Sequence, residues 1–309
     1  MTDIHVDEDN QNSKPIAYLD NAYYLTEKKG KGSTSKVYVG YAVNDNSYQQ
    51  FSFKIMNLSN TNISLFKKEV QMLHAVSTAK KVVKFYHSGT GQLTKLNGKS
   101  KSVLYIVLEY LENFDLSYYI FRLKGFGEDF GKIIFSHLLD SVESIHNAGV
   151  VHRDIKPQNI MLSKDFEFKL IDFGFATNAT TGALTEYLGT LNHVAPELLE
   201  MQPYNGVCND VFSLAVTLFF IVTGDCPCFL HFKNDKLYKH FIEHNYREFW
   251  LQKNIKVTAN FMELINNMLA FDPTQRLSIS EIRQSKWMQD INLDLVRYLK
   301  DLLIKTRYK

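Results

Sequence analysis

Cysteine is scarce in this chain of 309 residues: Cys208, Cys226 and Cys228 are its only thiols. Such a set matches neither a disulfide framework nor a paired Cys-x-x-Cys zinc site, so reduced thiols are the expectation. A charge imbalance is also missing. Lys and Arg number 35 against 33 Asp and Glu, a net of +2, which argues against a general nucleic-acid binder. Met1–Lys14 is polar and acidic through Asp3, Asp7, Glu8 and Asp9, with no basic-then-apolar leader and no glycine at position 2 for myristoylation. The strongest apolar run, Val211–Val222, reads VFSLAVTLFFIV; that length is short for a bilayer span and suits a helix buried in a core. Repeats and low-complexity tracts are absent. The expectation is a soluble, cytoplasmic, monomeric protein without membrane or nucleic-acid partners.

What is present is ordinary globular composition, 45% apolar and 22% charged, at a length that suits one large domain or two lobes. Residues 1–15 read as a flexible arm. From Tyr18 to Tyr110 strand patterns prevail. Lys36–Tyr41 and Gln50–Ile55 are rich in β-branched and aromatic residues around an Asn44-Asp45-Asn46 turn. Ile63–Val76 spaces Leu65, Phe66, Val70 and Leu73 helically, so one helix interrupts the strands. A later hairpin is expected between Val82–Tyr86 and Val103–Leu108, joined by a long solvated loop that holds Asn97-Gly98. From about Leu116 helical spacing takes over, broken by strand-like pieces between Val150 and Leu170. A β-rich third followed by a helical remainder predicts an α+β protein of two lobes with a cleft between them.

Gly30-Lys31-Gly32-Ser33-Thr34-Ser35-Lys36-Val37 lies between two strand patterns, where glycines let a backbone approach a ligand and free amides can meet phosphate oxygens. Alone it is weak evidence, since such a turn between strands is more often only a hairpin. Lys54 in the next strand and Glu69 on the following helix fit solvated charges. The segment Val151-His152-Arg153-Asp154-Ile155-Lys156-Pro157-Gln158-Asn159 is different. It concentrates a carboxylate, two cations and an amide among apolar strand pieces, where unpaired charge is costly. Leu170-Ile171-Asp172-Phe173-Gly174 then sets a carboxylate at a strand end before a glycine turn, a common way to present a cation ligand. Ala195-Pro196-Glu197 closes the segment that Asp172 opens.

In order and spacing, from Gly30 to Arg276, these residues resemble the eukaryotic protein kinase family of Ser/Thr type. The stretch Phe261–Leu269, Asp272–Arg276 and Lys286–Met288 is most similar to the calcium/calmodulin-dependent and AMP-activated kinase groups. The resemblance implies a two-lobed kinase domain over 16–290, with a small β-rich N-lobe over about 16–110 that carries one key helix and a helical C-lobe over about 111–290. A helical tail would follow over 291–309. It implies ATP and Mg2+ as cofactors and protein substrates as partners. Gly30, Lys31, Gly32 and Ser33 would cover the phosphates, and Lys54, paired with Glu69, would hold them. Glu109 and Leu111 would bond adenine through their backbone behind Leu108, with Val37, Ser52 and Met161 packing on the ring and Asp115 on the ribose. Asp154 would orient the substrate hydroxyl, Asn159 and Asp172 would hold the metal ions, and Lys156 would neutralise the migrating phosphoryl group. Lys156 together with Thr190 favours a Ser/Thr acceptor. Leu73, Phe85, His152 and Phe173 match an interlobe hydrophobic column anchored by Asp210, and Glu197 with Arg276 a buried ion pair.

The chain departs from the pattern at Ser35, which takes a glycine position, and at Ser52, Gln158, His193 and Phe212. Because Gln158 replaces an acidic residue, no preference for arginine near the acceptor is inferred. Glu186 stands where these enzymes carry a phosphorylated threonine. It either pairs with Arg153 in place of phosphate, more weakly than phosphate would, or is a solvated loop charge, with Thr180, Thr181, Thr185 and Tyr187 as alternative phosphosites. The tail, with Leu295, Leu299, Leu302 and Leu303 beside Lys300, Lys305 and Arg307, fits a calmodulin-type regulator helix or a plain helix packed on the large lobe, and the latter is preferred. The rival function is a pseudokinase scaffold, against which intact Lys54, Asp154, Asn159 and Asp172 argue.

Overall fold

Alternating apolar residues build the first of the two units into which the chain divides, Met1–Val70 with Lys84–Tyr110; the second is Gln71–Val83 with Leu111–Lys309. The computed structural model describes residues 14–32, 34–43, 47–179, 183–227 and 235–308. The first unit contains β1 (Ala17–Leu19), β2 (Tyr23–Lys31), β3 (Ser35–Ala42) and β4 (Gln50–Asn57). After α1 (Asn60–Ala75), which belongs to this unit as far as Val70, come β5 (Phe85–Lys95) and β6 (Ser100–Glu109). The strands pair antiparallel in the order β1-β2-β3-β4-β6-β5, and β1 meets both β2 and β5, closing a barrel. Closure leaves no open edge. Leu19, Leu25, Phe53, Ile55, Leu93, Val103, Tyr105 and Val107 face inward as its core.

One expectation is corrected here. The polar run after Tyr86 is strand, not loop: β5 continues to Lys95 and only residues 96–99 form the turn to β6. Gln92 pairs with Ser102 and Thr94 with Ser100 across the ladder, and side-chain hydrogen bonds of 2.8 and 3.1 Å join each pair. Leu93 between them is buried. Cross-strand polar pairs and one apolar anchor therefore supply what residue propensity does not. Gly91 is needed for packing, since a Cβ there would lie 2.1 Å from the Asp20 carboxylate, which accepts from the Gln92 amide at 2.6 Å. Val82 and Val83 join the second unit instead, against Leu170.

The second unit is mostly helical. It holds α2 (Leu116–Leu123), α3 (Gly127–Asn147), β7 (Val150–Val151), β8 (Ile160–Leu162), β9 (Phe168–Leu170) and β10 (Thr177–Asn178). Then follow α4 (Pro196–Leu199), α5 (Gly206–Thr223), α6 (Lys236–Ile242), α7 (Tyr246–Lys253), α8 (Ala259–Met268), α9 (Ile279–Gln284) and α10 (Leu295–Arg307). The short strands form two hairpin-like pairs, β8 with β9 and β10 with β7.

α3 buries Ile133, Ile134, Leu138, Leu139, Val142 and Ile145 and packs against α5, β7, β9 and α10. α5 is buried on nearly all sides, the polar Asn209, Asp210, Ser213 and Thr217 included. Asn205 caps its start by accepting from the Val207 and Cys208 amides, and Gly224 ends it in the left-handed region. Its 18 residues average a hydropathy of 1.8, enough by length and composition to cross a membrane, yet 78% of them are buried inside this unit. Phe219 in its C-terminal half packs against Phe249, Trp250 and Phe261, and Phe261 against Trp287. Cys208 and Cys226 carry no disulfide; Cys228 lies outside the described residues.

Candidate active site

In the first unit the strand register sets Gly30 on β2, Val37 on β3 and Lys54 on β4 in one row across the sheet. The β2–β3 turn closes where the Gly32 amide donates to Ser35 O at 2.9 Å. Cβ atoms added at Gly30 or Gly32 would meet nothing closer than 3.7 Å. The fold itself does not demand these glycines, so their smallness leaves space beside the turn. Ser33 lies outside the described residues, as do Thr180 and Thr181 and residues 1–13 of the proposed arm. Lys54 Nζ donates to Glu69 Oε1 at 2.7 Å, with the two side chains 14% and 3% exposed. A partly desolvated ion pair of this kind fixes the direction of a flexible lysine. Glu109 ends β6, where its amide donates to Lys84 O at 2.8 Å and its carboxylate accepts from the Lys84 amide at 3.1 Å.

In the second unit the loop after β7 is held from below by Asp210, the fully buried carboxylate of α5. It accepts from the His152 and Arg153 amides, both at 2.8 Å, and contacts His146 Nε2 at 2.9 Å. His152 accepts from the Asp154 amide at Nδ1 and reaches Ile171 O from Nε2 at 3.0 Å, which assigns its proton to Nε2. Its ring meets Phe173 edge-on at 5.1 Å. Arg153 and Asp172 both adopt positive φ, 66° and 62°. Such backbone strain persists only where the surroundings over-determine it.

Asp154 is the centre of the site. Its carboxylate accepts from Lys156 Nζ at 2.8 Å, Asn159 Nδ2 at 2.9 Å and Thr190 Oγ1 at 2.7 Å, while Lys156 Nζ also donates to Thr190 Oγ1 at 2.6 Å. Three donors, one of them a cation, hold this side chain in one orientation. Gly189 makes the closure possible. Its φ is 128°, and a Cβ there would lie 2.4 Å from Val194 Cγ1 and 2.8 Å from Arg153 O.

The side-chain nitrogen of Asn159 is committed to Asp154, to its carboxylate and to its backbone oxygen at 2.8 Å, so the amide turns its oxygen elsewhere. The Ile171 amide bonds Asn159 O at 2.9 Å, which sets Asp172 one residue from that amide. One amide oxygen and one carboxylate suit a hard cation. Among the described residues no group of three His, Cys, Asp or Glu forms a closed metal cage.

The segment from Asp172 to Glu197, which the resemblance makes the activation segment, is tied to the same loop. Arg153, fully buried, donates from Nη1 to Glu186 Oε2 at 3.1 Å and to Tyr204 OH at 3.3 Å, and from Nε to Phe175 O at 2.6 Å. His193 is buried, stacks on Phe220 at 5.8 Å, and finds no hydrogen-bond partner for either ring nitrogen among the described residues. Burial pushes its pKa down to about 4, against the pull of the Asp154 charge and with help from Lys156. Glu197 and Arg276 form a bidentate pair with both bonds at 2.7 Å, and the guanidinium also bonds the Ala270, Phe271 and Cys208 carbonyls.

Of the remaining expected residues, Asp115 caps α2 by accepting from the Tyr118 amide at 3.2 Å and bridges to Met161 on β8. Leu111 and Leu73 are buried in the second unit, and Phe85 opens β5 in the first. Sequence reasoning missed His146 under Asp210, Tyr204 beside Arg153, Asn209 accepting from the Ala195 amide and Ser213 donating to His193 O. No local pattern marks them, because each partner is remote in sequence.

Comparison with known proteins agrees with this geometry. The family model described as protein kinase domain matches residues 23–288. CBL-interacting protein kinase 11 of Oryza sativa subsp. japonica is 30% identical over 86% of this chain and 51% of its own length. Serine/threonine-protein kinase SIK1 of Mus musculus is 31% identical over 78% of this chain and 29% of its own. The carbon catabolite-derepressing protein kinase of Secale cereale is 28% identical over 90% and 53%. The chain belongs to the protein kinase family, and its β-rich and helical units are the two lobes of that fold. The calcium/calmodulin-dependent and AMP-activated groups expected from the motifs are the ones these relatives support. Family membership implies ATP and a divalent cation. The chain spans about half the length of the rice and rye relatives and less than a third of the mouse one.

Proposed function

We propose that this domain transfers the γ-phosphoryl group of ATP to serine or threonine hydroxyls of proteins, with Mg2+ as the cation. The observation that carries the reading is the Asp154 carboxylate held by Lys156, Asn159 and the Thr190 hydroxyl. Lys54, aimed by Glu69, holds the nucleotide phosphates beneath the Gly30–Gly32 turn, whose Lys31 and backbone flank them. Val37 and Met161 pack on adenine, the Glu109 and Leu111 backbones bond it, and Asp115 takes the ribose hydroxyls. Asn159 and Asp172 supply oxygen ligands to Mg2+, which when bound neutralises phosphate charge. Asp154 orients the acceptor hydroxyl and takes its proton as the new oxygen–phosphorus bond forms and the bond to the β-phosphate oxygen breaks. Lys156 offsets charge on the migrating group. Positioning and electrostatics therefore carry the chemistry.

Glu186 is the second element of the reading. It serves as a built-in counter-charge for Arg153, ordering the activation segment without phosphorylation. A pseudokinase has no use for the Asp154 arrangement. Radiolabelled ATP with serine, threonine and tyrosine peptide pools tests the assignment, with Asp172→Asn as control. Mg2+-dependent labelling of the serine and threonine pools, lost in the variant, is expected. Equal labelling by both proteins would overturn it.

A further inference from the structure

The outer face of α2 carries a patch that soluble surfaces rarely leave bare. Tyr118, Phe121 and Arg122 share one exposed side of α2, and Phe114, just before the Asp115 cap, joins them by stacking on Tyr118, while Leu116, Tyr119 and Ile120 fill the buried face. Phe121 is 84% exposed and Phe114 47%. The stripe is ordered by its own contacts. Phe114 and Tyr118 stack at 4.0 Å, and the Arg122 guanidinium lies over the Tyr118 ring at 4.9 Å. α10 packs beside α2 and adds a second pair of the same kind, Arg307 over Tyr308 at 5.1 Å, with Arg307 donating to Glu112 O at 3.5 Å. Tyr308 is also largely exposed. None of these side chains takes part in the site described above.

Clustered aromatics with arginine are the composition of interface hot spots, where rigid rings bury area at low entropic cost and guanidinium groups pair with carboxylates. Cations border the stripe, with Glu112 before it and Asp301 on α10 carrying the opposite charge. Arg122 and Lys124 are exposed on α2 and its C-terminal cap, and Lys305 precedes Arg307 on α10. The Asp115 carboxylate is turned to its own helix, toward Ser117 and the Tyr118 amide.

We propose that the α2–α10 face is a docking surface for an acidic segment of a partner protein carrying large apolar side chains. Carboxylates of that segment would meet Arg122, Lys124 and Lys305, and its apolar groups would cover Phe114 and Phe121. A lipid surface fits less well. Anionic membranes select dense lysine and arginine clusters, whereas Asp294 and Asp301 interrupt the cations of α10.

The test is binding, which stands apart from phosphoryl transfer. The full chain is titrated with fluorescent peptides of mixed Glu, Leu and Phe, with matched peptides bearing Lys for Glu or Ser for Leu and Phe, and with phosphatidylserine vesicles. Self-association is followed by light scattering. Saturable binding of the acidic apolar peptides alone is expected, weakened about tenfold or more by Phe121→Ser and by Arg122→Glu, and weakened by salt. Both variants should keep the wild-type melting temperature and nucleotide turnover. Absence of saturable peptide binding, peptide binding that neither variant weakens, or association only with vesicles or a second copy would overturn the proposal.

Discussion

Removing Glu197 should cost far more than a surface ion pair is worth. The Arg276 side chain is 1% exposed and Glu197 11%, with both oxygens engaged. In Glu197→Ala the guanidinium keeps the Ala270, Phe271 and Cys208 carbonyls but loses its bidentate carboxylate, so among the described residues a buried charge keeps no direct ion-pair partner. Breaking one side of such a pair costs roughly 3–5 kcal/mol, and the remaining carbonyls place this case near the lower end, at about 3 kcal/mol. Replacing both partners should cost less than the sum of the single changes. In the double variant Glu197→Ala with Arg276→Met no charge is stranded, and the methionine keeps apolar contact with Phe212, over which the guanidinium now lies at 5.1 Å. Urea unfolding of wild type, both single variants and the double variant closes the cycle. A Glu197→Ala loss below about 1 kcal/mol, or strictly additive changes, would refute the reasoning, because either result would mean that Arg276 is not stranded when its partner leaves.

Glu186 is 57% exposed while Arg153 is fully enclosed, so the pair is worth about 1 kcal/mol, or roughly a fivefold change in the ordered population. Glu186→Ala in unphosphorylated protein should lower turnover by about that factor, and unchanged turnover would remove its role as a counter-charge. His193 predicts a pH effect of definite sign. Its imidazole is pushed from 6.5 to about 4 by burial, so between those values the unfolded chain binds a proton that the folded chain refuses. Stability therefore falls as pH drops through that window, by up to roughly 3 kcal/mol for this group. His193→Phe should flatten that part of the stability profile measured by thermal unfolding, and parallel profiles would refute the assignment.

The site was legible because its chemistry is written in short runs. His152 to Asn159 and Asp172 to Gly174 bring donors and acceptors together through one loop and one strand end, so spacing alone nearly fixes their neighbours. Thr190, 34 residues from Lys156, was paired with it only through the family resemblance. The β5 continuation was not legible. Gly89, Thr90, Gly91 and Gln92 have the composition of a loop, and only their pairing with β6 and the burial of Leu93 make them strand. His146, Tyr204 and Asn209 escaped notice because their roles depend on α5 and the activation segment meeting the loop after β7. Long-range packing of that kind leaves no periodic trace in the sequence.

The most direct measurement is single-turnover phosphoryl transfer by Asp154→Asn. The amide preserves the shape of the side chain but cannot accept the hydroxyl proton, so the rate should fall about a hundredfold or more. ATP affinity measured on the same variant separates loss of the chemical step from loss of binding passed on through Asn159, which donates to the Asp154 carboxylate. A rate within a few-fold of wild type would contradict the account, because the group at the centre of the hydrogen-bond network would then not be the one that does the chemistry.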